Sequence, residues 1–135
     1  MSKLKTDNID SGIRGNNHFY VQNIDGVAAF STDLSVKITA GRYHSLVIDI
    51  ENSAWSWGYN GSGQLGDGTT SDKSSPGSVI GGHSFIDIAG GGYRYSLAVK
   101  ENGEVWSWGR NGHGQLGVKD TTDYSSPVQV VKTFN

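Results

Sequence analysis

The feature that most constrains this chain is an internal duplication. A shift of 51 positions (109 − 58) aligns residues 37–80 with residues 88–131 without a gap. Both copies contain Trp-Ser-Trp-Gly, then Asn-Gly, then Gly-Gln-Leu-Gly, and finally Ser-Ser-Pro. Matches in one fixed register indicate a repeat architecture, in which each copy forms one unit and neighbouring units stack.

Each copy has the pattern of short β-strands joined by turns. Trp55 and Trp57 alternate with Ser56, so the two indoles share one face of a strand. The pair Asn102-Gly103 lies between two apolar runs and predicts a type I′ hairpin turn. Asn52-Ser53 takes this place in the first copy and is a weaker turn pair. Each copy is therefore expected to contain at least one hairpin.

The remaining strands follow from the prolines and glycines. Pro76 and Pro127 are each expected to open the last short strand, where a residue without an N–H is tolerated. The chain has 20 glycines among its 135 residues, which indicates many tight turns, and no helical period competes. The predicted strands lie around 38–40, 45–48, 54–57 and 77–80, and again 51 positions later (109 − 58). The fold class is all-β.

The residue pattern of the repeat resembles that of a known family. The pattern G-x-x-x-S-L, then x-W-S-W-G-x-N-x-x-G-Q-L-G, then S-S-P-x-x-V resembles the regulator of chromosome condensation repeat over residues 37–131. His44 occupies the family's usual histidine position, where the second copy has Tyr95. The signature residues are Gly41, Trp55, Trp57, Gly58, Gly63, Gln64, Leu65, Gly66 and Pro76, and then Gly92, Trp106, Trp108, Gly109, Gly114, Gln115, Leu116, Gly117 and Pro127.

This resemblance implies β-propeller blades of about four antiparallel strands. The expected organisation is an N-terminal segment over residues 1–36, one repeat over 37–87 and a second over 88–135. Two interpretations of the N-terminal segment stay open. His18–Val21 and Val27–Phe30, with Asp25-Gly26 as the turn, form either a degenerate half-blade or an unrelated extension.

Two blades do not close a ring, since propellers typically have about four to eight. The resemblance implies seven blades in the best-known members of the family. The open edges are expected to be covered by the rest of a longer protein, by further copies of this chain or by a different protein. Met1 favours assembly, for example three chains that form a six-bladed ring.

Several motifs suggest chemistry but have a simpler structural explanation. Residues 61–66 and 112–117 satisfy G-x-G-x-x-G, yet loop residues rather than a helix follow, so no nucleotide site and no cofactor are expected. The carboxylates that suggest calcium lack EF-hand spacing and are expected to be turn residues: Asp67, Asp72, Asp120 and Asp123. The histidines form no metal motif: His18, His44, His83 and His113. His44 is expected to pack within the blade, whereas His83 and His113 fall in turns.

Charge and composition restrict the class of protein further. Net charge is −2, which does not favour nucleic-acid binding, and Lys3, Lys5 and Arg14 are expected to belong to a solvated tail. The chain has no cysteine, no apolar run long enough to span a bilayer and no signal peptide. We expect a soluble protein, in the cytoplasm or in a particle.

The sequence supports three functional hypotheses. The first is a non-catalytic propeller module for protein binding or assembly, as a homo-oligomer or with another propeller-completing chain, within a particle such as a virion or surface structure. The second is a contact regulator of the family type, through nucleotide exchange on a small GTPase or inhibition of an enzyme. The third is a propeller enzyme, for which no catalytic residues can be named. A tryptophan exposed on a ring face would suit a protein or sugar partner.

Overall fold

The protein consists of paired antiparallel strands. In this computed structural model the described residues are 18–21, 30–33 and 35–135, and for the first two segments only the strand pairing is described. β1 (His18–Val21) pairs with β2 (Phe30–Asp33), with Val21 opposite Phe30. This pairing agrees with the predicted N-terminal hairpin, but Asp25-Gly26 and Val27–Ala29 lie outside the described residues.

Residues 36–135 form a second compact unit made of two four-stranded sheets. Blade 1 contains β3 (Lys37–Ala40), β4 (His44–Ile48), β5 (Ala54–Gly58) and β6 (Lys73–Ser78), hydrogen-bonded in that order. Blade 2 contains β7 (Asp87–Gly91), β8 (Tyr95–Val99), β9 (Glu104–Gly109) and β10 (Tyr124–Thr133), again in chain order. The predicted all-β architecture of tandem four-stranded blades is confirmed, and the described residues contain no helix.

The register of the strands repeats with the sequence. Ser45 is opposite Trp57 in blade 1, and Ser96 is opposite Trp108 in blade 2. The first three predicted strands of each copy lie within or next to the observed ones. The two indoles of each Trp-Ser-Trp do share one face, because Trp55 and Trp57 are half-buried while Ser56 between them is buried on the other face.

The last strand of each blade differs from its prediction. β6 begins at Lys73 and β10 at Tyr124, so both strands start earlier than expected, and Pro76 and Pro127 lie inside them rather than at their first residue. The pairing of β6 with β5 shifts register between Ser56 and Gly58, and the pairing of β10 with β9 shifts between Tyr124 and Val128. Because a bulge leaves one residue unpaired, it accommodates a proline without losing a hydrogen bond.

The predicted turn type is also wrong. Lys100 C=O accepts from Gly103 N–H at 3.0 Å, and Lys100 N–H donates to Glu104 C=O at 2.8 Å. Of the predicted pair only Gly103 has a positive φ, at 90°. The hairpin is therefore a type I turn followed by one left-handed residue, which also suits the twist of paired strands. In blade 1 this left-handed residue is Asn52, with φ at 66°, in an equivalent pattern of bonds from Asp49.

The two blades pack face to face around one apolar core. β7 of blade 2 contacts β3 and β4 of blade 1. The core contains Leu46, Ile48 and Ala54 from blade 1, and from the other side Phe85, Ile88, Ala98 and Trp108. Gly90 allows the closest approach, because a Cβ there would meet the backbone of Ala40 and Gly41.

Candidate functional site

The signature residues occupy equivalent places in the two blades. Gly41 and Gly92 lie in the turns before β4 and β8, and Gly58 and Gly109 end β5 and β9. The indoles lie on β5 (Trp55, Trp57) and β9 (Trp106, Trp108), and the prolines on β6 (Pro76) and β10 (Pro127). The Gly-Gln-Leu-Gly segments, Gly63–Gly66 and Gly114–Gly117, lie in the long loops that follow β5 and β9.

A buried asparagine organises each of these loops. Asn60 and Asn111 are fully buried, and their side-chain oxygens accept from the N–H of Leu65 at 2.9 Å and of Leu116 at 3.0 Å. The Asn60 amide also donates to the carbonyls of Thr69 and Ser71, both at 2.9 Å. The repeat contains both asparagines as part of Asn-Gly, but the hydrogen bonds of their side chains to the loop backbone were not predicted.

The aspartates that suggested calcium serve the same loops. Asp72 accepts from Asn60 N–H at 2.8 Å, and Asp123 accepts from Asn111 N–H at 2.7 Å. Asp67 and Asp120 each accept from the N–H two residues later. Burial raises the pKa of Asp67, but hydrogen bonds from Lys73 and Thr69 hold it below its ordinary value. Hydrogen bonds from Thr122 and Tyr124 likewise lower the pKa of Asp120. The interpretation of these residues as turn carboxylates is confirmed.

The loop of blade 1 forms the polar part of the interface with blade 2. Gln64 C=O accepts from Trp108 Nε1 and from Ser96 Oγ, both at 2.9 Å. Ser96 Oγ in turn lies 3.0 Å from His44 Nε2 of blade 1. Gly63 fits directly against blade 2, since a Cβ there would lie 2.6 Å from Ser125 Cα. Gly68 N–H donates to Ser125 C=O at 2.8 Å.

His44 is buried, at 3% exposure, as predicted, but it lies at the interface between the two blades, which was not predicted. Burial lowers the pKa of His44, because the charged ring would lose its hydration. The ring fits only because residue 41 is glycine, since a Cβ at Gly41 would collide with His44 Cε1.

The equivalent face of blade 2 is not covered in the same way. Leu46, Ile48 and Ala54 are 0%, 1% and 6% exposed because blade 2 packs on them. Their equivalents one repeat later are Leu97, Val99 and Val105, which are half-buried. These three residues line a cavity of about 180 Å³ together with Asp87, Ile88, Ala89 and Ala98.

The second loop shows the same contrast. Ser107 Oγ donates to Leu116 C=O at 2.8 Å, as Ser56 Oγ does to Leu65 C=O at 2.6 Å, so both loops have the same internal structure. Gly63, Gln64 and Gly66 are nevertheless buried, whereas Gly114 and Gly117 are exposed and Gln115 is half-buried. Blade 2 thus presents a loop of the kind that holds the next blade within this chain.

The opposite side of blade 1 carries the complementary residues. Val47, Trp55 and Trp57 are half-buried. Their equivalents in blade 2 are Ala98, Trp106 and Trp108, which pack against blade 1. Of the four tryptophans on β5 and β9 only Trp108 is fully buried.

The remaining sequence candidates are not brought together. His83 stacks on Phe85 at 5.2 Å and lies 4.3 Å from the Trp106 ring, and burial and the nearby Lys100 charge lower the pKa of His83. His113 lies in the second long loop, and the side chain of His18 lies outside the described residues. No three histidines or carboxylates within residues 35–135 are placed to hold a metal ion. After each G-x-G-x-x-G the chain continues as loop.

The two sheets, their Trp-Gly corners and the interlocking Gly-Gln-Leu-Gly loop match one family throughout. The sequence profile described as "Regulator of chromosome condensation (RCC1) repeat" matches residues 51–99 and 102–135, and a second profile with that description matches 36–64 and 85–115. The chain belongs to the RCC1 repeat family. Its two sheets are propeller blades of that family, and they form part of a propeller.

Relatives and solved structures agree with this assignment. Protein RCC2 of Homo sapiens is 42% identical over 90 residues, which is 65% of this chain and 17% of that protein. Human WBSCR16 has a TM-score of 0.65 at 27% identity over 78% of this chain and 28% of the other. Prp20p from Saccharomyces cerevisiae has the same TM-score at 21% identity over 81% and 30%. This chain thus spans less than a third of each of these proteins.

No helix that could span a membrane is present in the part of the chain that the structure describes. None of those residues belongs to a helix of the length and apolar character needed to cross a bilayer.

Proposed function

We propose that this chain is a non-catalytic propeller-repeat module that acts by binding protein, and that the partner of its blade 2 face is another blade of the same kind. One observation supports the proposal above all. The residues that blade 2 covers on blade 1 recur on blade 2 as Leu97, Val99 and Val105, half-buried around a cavity of about 180 Å³. Within this chain, blade 2 already packs on the same combination of apolar strand residues and Gly-Gln-Leu-Gly loop in blade 1.

The proposed source of that blade is a second copy of the chain. Blade 1 carries Val47, Trp55 and Trp57 at the positions whose equivalents, Ala98, Trp106 and Trp108, fill the internal interface. Docking blade 1 of one copy on blade 2 of another would repeat that interface. The contact is head-to-tail and joins two different surfaces, so it builds a ring when the rotation closes. Such repetition suits a structural component of a larger particle, which is the setting that we propose.

The experiment is to measure the mass of the full-length chain by light scattering, with one variant on the face and one away from it. Val99→Asp places a charge on the blade 2 face. Val131→Asp makes the same change on β10, where Val131 is 58% exposed. We expect the native chain to form a closed multiple and Val99→Asp to weaken it by about tenfold or more, about 1.4 kcal/mol per contact.

Val131→Asp is expected to leave the mass unchanged, and the far-ultraviolet circular dichroism of all three proteins should agree. A native chain that stays monomeric at concentrations up to about 100 μM would refute self-assembly. Equal loss of mass in both variants would show that the association does not use the blade face.

The second candidate is a contact regulator. Its support is the likeness to Prp20p, a structure described together with that protein's binding properties to Gsp1p and histones. For this chain the test is nucleotide release from a panel of small GTPases. Release at the uncatalysed rate would exclude nucleotide exchange as its activity on those GTPases. Blade-face binding is favoured because it follows from residues that this chain itself carries.

A further inference from the structure

One end of the blade pair is rich in arginine and tyrosine. The β3–β4 turn, the β7–β8 turn and the first residues after β5 and β9 all lie at the end where His44 pairs with Gly58 and Tyr95 pairs with Gly109. We call this surface the arginine–tyrosine end. It consists of Arg42, Tyr43, Tyr59, Tyr93, Arg94, Arg110 and His113.

Two of the three arginines there lie over aromatic rings, and none of the three is in an ion pair with a carboxylate of residues 35–135. Arg42 lies over the Tyr43 ring at 5.1 Å, and Arg94 lies over the Tyr59 ring at 5.0 Å. Within residues 35–135 the two ion pairs are Lys73–Asp67 and Lys100–Glu104, and neither includes an arginine. A guanidinium stacked on a ring keeps its N–H edge free for a planar anion and loses little side-chain entropy on binding.

These side chains surround a cavity that both blades build. It has a volume of about 160 Å³ and is lined by Arg42 of blade 1 and by Gly92, Tyr93, Arg94, Arg110 and His113 of blade 2. A Cβ on Gly92 would meet no atom within 4 Å, so there is room for a side chain at this position. A water occupies about 30 Å³ of liquid volume, so the cavity has room for a carboxylate and its neighbouring atoms.

We propose that the arginine–tyrosine end binds an acidic peptide segment of a partner protein, with one carboxylate in the Arg42–Arg94–Arg110 cavity. Charge complementarity supports an anion, and bidentate geometry makes arginine suited to a carboxylate. Tyrosine and arginine are enriched at the centre of protein interfaces. The net charge of −2 disfavours a long polyanion such as nucleic acid, whereas a short acidic segment meets only the local positive surface.

This site lies at the strand ends and is separate from the sheet face that carries the proposed assembly. The experiment is fluorescence anisotropy with the full-length chain and a fluorescein-labelled peptide of alternating Glu and Gly. The control peptide has Gln at every Glu position. We expect the Glu peptide to bind with a Kd well below about 1 mM and the Gln peptide to bind about tenfold more weakly or worse.

Three variants locate the binding. Arg110→Gln is expected to raise the Kd of the Glu peptide about tenfold, since it removes a charge-assisted hydrogen bond to the carboxylate. Lys132→Gln removes one positive charge from an exposed position on β10 and should change the Kd by less than about twofold. Gly92→Leu changes no charge but fills the cavity, and it should weaken binding as strongly as Arg110→Gln.

The inference is overturned if the Glu peptide does not bind, if Lys132→Gln weakens binding as much as Arg110→Gln, or if Gly92→Leu binds like the native chain. Tighter binding of a labelled DNA duplex than of the Glu peptide would also overturn it. The peptide Kd and the mass of the assembly are separate measurements. A monomeric chain that binds the peptide would therefore refute blade stacking alone, and an assembled chain that does not bind it would refute this inference alone.

Discussion

Identical residues in the two repeats have different surroundings. Gly63 and Gly114 occupy the same loop position and have similar left-handed backbones, with φ at 83° and 72°. A Cβ on Gly63 would lie 2.6 Å from Ser125 Cα, whereas a Cβ on Gly114 would meet nothing within 4 Å. The backbone alone explains the glycine in the second copy. In the first copy, contact with the neighbouring blade requires it as well.

This pair allows the contact between blades to be measured. We expect Gly114→Ala to lower the free energy of unfolding by about 1 kcal/mol, the usual penalty of a left-handed alanine. Gly63→Ala should lower it by about 3 kcal/mol, because the methyl group must also push the Ser125 backbone away. Urea denaturation of both variants gives the difference. Equal losses would show that the loop does not hold blade 2 at Gly63.

The buried histidine makes stability depend on pH. Burial lowers the pKa of His44, and burial together with the Lys100 charge lowers that of His83. The unfolded chain then binds more protons below its ordinary histidine pKa of about 6.5. The contribution of the two histidines to the free energy of unfolding is complete above that value and is lost as pH falls toward their pKa values in the folded state. We therefore expect the free energy of unfolding to fall from about pH 7 to pH 5.

The double variant His44→Gln/His83→Gln is the control for this dependence. The variant should be less stable at neutral pH, because His44 no longer fills its place beside Ser96, but its free energy of unfolding should change less between those pH values. Urea denaturation across the pH range provides the measurement. An unchanged slope in the variant would assign the pH dependence to other groups.

At the scale of strands and turns, sequence pattern predicted most of the blade. The alternation of Trp55 and Trp57 identified a strand face because the period of two is a local property. The start of β6 at Lys73 was missed, since it depends on pairing with Gly58 across a long loop. The turn type was missed because Asn102-Gly103 suits both a type I′ turn and a type I turn followed by a left-handed glycine. Only the φ values of the two residues distinguish these turns.

The hairpin turns give a prediction with opposite signs in the two blades. Asn52→Gly should raise the free energy of unfolding by about 0.5 kcal/mol, since φ at 66° is strained for a residue with a Cβ. Gly103→Asn should lower it by about 1 kcal/mol or more, because the new Cβ would also collide with the Phe134 carbonyl. Thermal unfolding followed by circular dichroism tests both. Destabilisation by Asn52→Gly would contradict the turn assignment.

The arginine–tyrosine end shows what comparison of the repeats leaves out. Arg42-Tyr43 of blade 1 corresponds to Tyr93-Arg94 of blade 2, with the two residue types in the opposite order, and Tyr59 corresponds to Arg110. A search for matched residues discards these positions because the copies differ there. The available signal was that both copies place arginine or tyrosine at the same turn. Which of these side chains meet depends on the packing of two separate sheets.

At the scale of the whole molecule, the internal interface defines two different surfaces. One is the face that Leu46, Ile48 and Ala54 form on blade 1 and that Leu97, Val99 and Val105 form on blade 2. The other is the tryptophan face, which Trp106 and Trp108 provide in blade 2 and Trp55 and Trp57 in blade 1. A contact that always joins one surface to the other leaves one surface of each kind open until a ring closes, so the proposed assembly continues until closure.

This asymmetry makes mixing of two inactive variants informative. Val47→Asp damages only the tryptophan face and Val99→Asp only the opposite face, so each protein alone should be monomeric. A mixture retains one intact surface of each kind, Val99→Asp supplying the tryptophan face and Val47→Asp the other. We expect light scattering of the equimolar mixture to give a heterodimer and no larger species. An isologous interface, in which both copies use the same patch, would be damaged in only one of the two variants, and the other variant would then associate on its own.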